Sequence, residues 1–224
     1  MSMGFVQKCI ENSLPIWEQC MKTPFLQGIA DGTLPEECFK GYIVDDSLYL
    51  REYTKVFAWG ILHATDMQEI RAYCSLLSFV NEAEDCTRLY YLQRYQLTDE
   101  QIQQLPLRKE NKDYVDAMIN AAQNGQGSAE CMMACLPCML SYGWIFEKMR
   151  KEKPQSEQTQ YSRFVCDYGS EEYTALCRQW IDFAEKSCAN LTAEQKEKCM
   201  KIFYDCSVHE LKFWQMSNQP RTDI

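Results

Sequence analysis

Three thiols and a phenol recur one helical turn apart in Cys131-Met-Met-Ala-Cys135-Leu-Pro-Cys138-Met-Leu-Ser-Tyr142, a run with no charged residue. Steps of four, three and four residues put Cys131, Cys135, Cys138 and Tyr142 on one face of a helix. Such a stripe can build a reactive pocket, since a cysteine thiolate is a strong nucleophile. It can equally fill a core, since free cysteine is often buried and behaves as a small hydrophobe.

Two distant stretches present acids among aromatics at the same spacing. In Tyr42-Ile-Val-Asp45-Asp46-Ser-Leu-Tyr49-Leu-Arg-Glu-Tyr53, residues 42, 46, 49 and 53 share a helical face, and Asp45 points about 100° away. Asp46 is then either a solvated acid above packed rings or a pocket carboxylate that accepts hydrogen bonds from an amine or amidine-like edge. In the second stretch, Cys199, Phe203, Cys206, Glu210 and Phe213 form an apolar stripe in which Glu210 alone ionises. A buried glutamate has its pKa raised, which suits general acid or base work near neutrality. A structural glutamate paired with Lys or Tyr satisfies the same pattern. His209, the adjacent residue, faces elsewhere, at the surface or behind the site.

Metal and redox sites lack support. Cys135-Leu-Pro-Cys138 is a CxxC, but zinc needs a second ligand pair at matching spacing. His63 and His209 are the only histidines and no Glu-x-x-His occurs, which argues against a di-iron bundle or a multi-histidine site and leaves open only a haem ligand. A thioredoxin-type CxxC expects a strand leading into a helix, and that context is missing.

The elements that must carry these residues read as helical throughout. An amphipathic helix containing Phe5, Cys9, Ile16 and Trp17 should stop before Pro24, and 24–35, with two glycines and two prolines, reads as a loop. Helices are expected over about 36–63, over 66–95 with or without a break, and over 111–123. The cysteine helix, which Ser128 can cap and Pro137 bend, follows to about 150. After an exposed connection at 151–160 come helices over 161–167, from a Ser170 cap to about 186, and to about 217. Thr98-Asp-Glu-Gln101 and Thr192-Ala-Glu-Gln195 are capping boxes. With no alternating strand pattern, the fold class is all-α, a single domain over 1–224 of seven to ten helices.

Composition sets the setting. With 46% hydrophobic residues the 224-residue chain can bury a sizeable core, and a net charge of −9 without a basic patch argues against nucleic acid or an anionic membrane as partner. Thirteen cysteines, an odd and dispersed number, fit reduced thiols in the cytoplasm better than a disulfide scaffold. No signal-peptide core is visible, and no stretch approaches the roughly 20 apolar residues that span a bilayer.

Taken together, Pro24-Phe-Leu-Gln-Gly-Ile-Ala-Asp-Gly-Thr-Leu-Pro35, Phe39-x-x-Tyr42-x-x-Asp-Asp46-x-x-Tyr49-Leu50, Glu82-Ala-Glu84, Leu136-Pro137-Cys138 and Glu210-x-x-Phe213-Trp214 resemble the TenA (thiaminase II) family in order and spacing. The resemblance implies a helical domain similar to haem oxygenase but without haem or other cofactor, assembled as a homotetramer. It implies hydrolysis of an aminopyrimidine or thiamin to hydroxymethyl-aminopyrimidine for thiamin salvage; a non-catalytic aminopyrimidine-binding protein is the alternative. Cys138 would be the nucleophile and Glu210 the proton carrier. Asp46 would hold the pyrimidine's amino edge, with Tyr49, Tyr114, Tyr142 and Tyr168 as walls. Asp45 stands where the family often carries glutamine, and repulsion between adjacent carboxylates would raise the pKa of Asp46.

Overall fold

Long helices form here because apolar side chains recur every three to four residues between good caps. The computed structural model describes residues 3–79 and 85–224. Within them lie α1 (Phe5–Met21), α2 (Pro24–Asp31), α3 (Glu36–His63), α4 (Met67–Phe79), α5 (Asp85–Tyr95), α6 (Asp99–Gln103), α7 (Lys109–Gln123), α8 (Ser128–Glu152), α9 (Ser162–Tyr168), α10 (Glu171–Cys188) and α11 (Ala193–Ser217), with no strand among the described residues. The all-α expectation holds, and two short helices, α2 and α6, take the count past ten. Glu82 and Glu84 lie outside the described residues.

Both capping boxes form: Thr98 and Thr192 accept from the backbone N–H three residues on, and Gln101 and Gln195 reach back. Ser170 caps α10 by accepting from Tyr173 N. Ser128 does not cap α8. Gly127 holds that position, one residue earlier, and the Ser128 hydroxyl instead donates to Glu69.

Residues 24–31 are a helix, not the expected loop. Thr23 caps it, and Pro24 occupies the first turn, where its missing N–H is no loss. Gly32 ends it in the left-handed region, at φ 71°. The prolines and glycines that suggested a loop are therefore start and stop signals. The connection at 151–160 also differs from expectation: α8 runs to Glu152, a 3-10 turn spans Pro154–Gln158 with Ser156 buried, and Lys153 Nζ donates to Gln27 and Asp31 of α2 at 2.7 and 3.1 Å.

The core lies around α8, which packs against α3, α7, α9, α10 and α11. Helix α8 is apolar on every side because it is surrounded. It holds an 18-residue window of mean hydropathy 1.3, long and apolar enough to cross a membrane, and 89% of that window is buried inside the fold. The run is longer and more apolar than the expected absence of a membrane-length stretch allowed. Enclosure by these helices and α1 accounts for its composition, and it delivers one edge of the cysteine stripe to the meeting point of α3, α7 and α11.

The left-handed Gly32 gives a direct check. Gly32→Ala must place a Cβ at 3.1 Å from Thr159 Cγ2 in a conformation that L-residues disfavour. Urea unfolding should show a loss of about 1–2 kcal/mol, and an unchanged midpoint would contradict the cap.

Candidate active site

The proton chemistry of the site begins with Glu210. Its place on the apolar stripe of α11 buries it, at 2% exposure, and burial pushes its carboxyl up to about 7. Two hydrogen bonds hold it against that effect: Tyr114 Oη on α7 donates to Oε1 at 2.8 Å, and the Cys138 thiol on α8 donates to the same carboxyl group. A thiol and a carboxyl group titrating near neutrality are thus in direct contact, the pairing that an activated nucleophile and its base require.

The cysteines of the stripe divide. Cys131 and Cys135 are buried, and burial raises both thiols, Cys131 to about 12 and Cys135 well above its ordinary value. A raised pKa makes a thiol inert, so these two are packing. Cys138, partly exposed, faces the carboxyl group.

Aromatic walls close around the pair. Tyr49 lies 5.0 Å from Tyr114 between ring centroids and 5.8 Å from Phe213. Tyr142 packs on Trp214 at 4.9 Å and on Tyr168 at 5.0 Å. Burial, with Cys138 and Glu210 nearby, raises Tyr49, Tyr114 and Tyr142 well above the ordinary phenol value. All three phenols therefore stay protonated near neutrality, as hydrogen-bond donors. Tyr168 also lines an open cleft of about 380 Å³ with Arg163, Cys166, Ser170 and Tyr173, so it touches both the cleft and the ring set.

Asp46 joins the group from α3. It is 8% exposed and acts electrostatically on the Tyr142 phenol. Asp45, whose charge was expected to bear on Asp46, has arginine partners of its own. Burial, the larger effect, raises the Asp45 carboxyl, while Arg108 and Arg221 pull it back and answer its charge on the face of α3 turned away from Asp46. All seven residues singled out from sequence, Asp46, Tyr49, Tyr114, Cys138, Tyr142, Tyr168 and Glu210, thus lie in one linked group of charges and rings.

The family resemblance did not carry Tyr42 or Trp214 into the walls. The Tyr42 and Tyr142 hydroxyls hydrogen-bond at 2.9 Å, and Tyr42 stacks on Trp214 at 5.5 Å. The phenol stripe on α3 carried that signal for Tyr42. His209 stacks on the outer face of the Tyr114 ring, at 5.4 Å with 8° between planes, and burial lowers its pKa. It lies behind the site. Among the described residues, no group of three or more His, Cys, Asp or Glu is placed to hold a metal ion.

The raised Glu210 has a stability signature. Its folded pKa of about 7 exceeds the ordinary 4.5, so the folded state binds the proton more tightly, and stability is lost as pH rises from about 4.5 through 7. Glu210→Gln keeps an acceptor for Tyr114 and removes the charge. Relative to the native chain it should gain about 3 kcal/mol more at pH 8 than at pH 4, measured by urea unfolding at both pH values; an equal effect at both would refute a buried, titrating Glu210.

Comparison with known proteins shows which family shares this chain's sequence and fold. A protein of Halalkalibacterium halodurans named aminopyrimidine aminohydrolase is 30% identical over 219 residues, covering 98% of this chain and 97% of its own. One of the same name from Helicobacter pylori is 31% identical, covering 97% and 100%. The solved structure of a TenA homologue from P. horikoshii OT3 superposes with a TM-score of 0.84 at 26% identity, over 96% of this chain and 98% of the other. The family model described as TENA/THI-4/PQQC matches residues 10–219. The chain belongs to the TENA/THI-4/PQQC family.

Proposed function

We propose that this protein is an aminopyrimidine aminohydrolase. It converts 4-amino-5-aminomethyl-2-methylpyrimidine, and thiamin, to 4-amino-5-hydroxymethyl-2-methylpyrimidine for thiamin salvage. The observation that carries the reading is the Cys138 thiol hydrogen-bonded to a buried Glu210 whose pKa lies near neutrality, within a wall of tyrosines. The names of two full-length relatives, both aminopyrimidine aminohydrolases, support the substrate class.

The chemistry runs on this chain's own groups. Glu210 takes the Cys138 proton, and the sulfur forms a bond to the pyrimidine ring. Attack on an aromatic ring requires a ring nitrogen to be protonated or strongly hydrogen-bonded as charge develops. Glu210, once protonated, returns that proton, while Asp46 accepts from the exocyclic amine. The C–N bond of the exocyclic methylene then breaks, the ammonium form of the aminomethyl group leaving as ammonia, or the thiazolium of thiamin leaving as the neutral thiazole. Water adds to the methylene, a proton is released, and the carbon–sulfur bond breaks to regenerate the thiol. Tyr49, Tyr142 and Tyr168 hold the ring flat and exclude bulk water, which strengthens each charge interaction. The family resemblance carries a haem-free homotetramer in the cytoplasm, and the exposed Leu62 and Met67 offer apolar surface to such an assembly.

Cys138→Ser should lower turnover of the aminomethyl pyrimidine by at least about 10³-fold while calorimetry shows aminopyrimidine binding within about fivefold of native. Turnover retained by the variant would exclude Cys138 as nucleophile. Binding without product from the native protein would establish a carrier instead.

A further inference from the structure

The neighbour of Asp46 is clamped from two sides. Asp45 is fully buried, and each of its carboxylate oxygens takes one guanidinium: Arg221 Nη1 donates to Oδ1 at 2.7 Å and Arg108 Nη2 to Oδ2. The Asp45 carbonyl accepts from Asn111 Nδ2 at 2.7 Å. The rest of the Arg221 fork goes to the Pro106 carbonyl at 2.8 Å and to both oxygens of Asp223, at 2.9 and 2.8 Å. Arg108 Nη1 reaches the Gln219 carbonyl at 2.8 Å. The Arg221 side chain is fully buried, and its backbone packs so closely on α3 that a Cβ on Gly41 would lie 3.1 Å from the Arg221 nitrogen.

Desolvating two charges offsets most of their attraction, so a buried pair of this kind adds little stability over an apolar filling; what it can fix is a single arrangement of the parts it joins. The parts joined are the ones that carry the site. Asp45 precedes Asp46 on α3. Arg108 is the residue that opens α7, with Asn111 one turn before Tyr114. Arg221 lies in the segment that follows α11, the helix of Glu210. A planar two-pronged guanidinium allows less freedom of angle than an ammonium, so the clamp fixes both the height and the rotation of α3 at this turn.

We propose that Arg221, acting through Asp45, is a positioning residue that sets where the Asp46 carboxylate meets the amino edge of the pyrimidine. The proposal rests on the aminopyrimidine reading above. It does not place Arg221 against the substrate: Asp46 lies on one side of α3, and the Asp45 clamp on another.

Steady-state kinetics with the aminomethyl pyrimidine test it, on the native protein, Arg221→Gln and Arg221→Lys, with Arg108→Gln as a second route to the same clamp. Arg221→Gln should raise KM by about tenfold or more with kcat within about threefold, because ground-state positioning is lost while Cys138 and Glu210 are untouched. Arg221→Lys, which keeps the charge and loses the fork, should restore KM only in part. KM does not depend on how much enzyme is folded, so lost stability alone leaves it unmoved; if Arg221→Gln gives no soluble protein, Arg108→Gln is read in the same way. A KM within about twofold of native in these variants overturns the positioning role. A native protein that does not turn over the pyrimidine instead overturns the aminopyrimidine reading on which the role rests.

Discussion

A carboxyl group held in a dry interior is the constraint from which the site follows. Glu210 sits on the inward stripe of α11, where water cannot solvate its charge, and two donors among the described residues, the Tyr114 hydroxyl and the Cys138 thiol, stand in for water. An unpartnered carboxylate there would cost several kcal/mol, so α7, α8 and α11 must meet at this point for the fold to close. The same desolvation that strains the fold moves Glu210 into the range where it can take a proton from a thiol and give it back.

The surrounding elements divide the work. On α8, Cys131 and Cys135 are buried packing, while Cys138, partly exposed on the same stripe, meets the Glu210 carboxyl group. On α3, two adjacent aspartates serve different ends. Asp46 lies beside the Tyr142 phenol, while Asp45 is locked by Arg108 and Arg221. Tyr42, Tyr142 and Trp214 form a hydrogen-bonded and stacked wall that links α3, α8 and α11 behind the reacting groups. Burial keeps Tyr49, Tyr114 and Tyr142 neutral, so two carboxyl groups, Glu210 and Asp46, stand against a background of donors.

Much of this was legible in the sequence because it is periodic. Helical spacing alone set Cys138 and Tyr142 on one face, Asp46 and Tyr49 on another, and Glu210 on a third, and the capping boxes at Thr98 and Thr192 formed as read. The helix at 24–31 is not legible locally, because proline and glycine signal a break in the chain yet stand here at the helix's first turn and just past its end. The role of Asp45 was missed for another reason. Its partners, 63 and 176 residues away in sequence, leave no local pattern. Adjacency predicted repulsion, and only tertiary packing supplies the two guanidiniums that answer it. Adjacency also could not reveal that His209 lies flat against the Tyr114 ring.

The pairing of Cys138 with Glu210 is tested most directly by the pH dependence of Cys138 alkylation with iodoacetamide, followed by mass spectrometry on the native protein and on Glu210→Gln. Loss of the Glu210 proton gives the thiol a local acceptor, so the rate in the native protein should rise through an inflection near pH 7, the apparent value belonging to the pair. In Glu210→Gln that inflection should vanish, leaving only the rise that follows the thiol's own ionisation. An inflection near pH 7 that survives the substitution, or a native rate without one, would contradict the account.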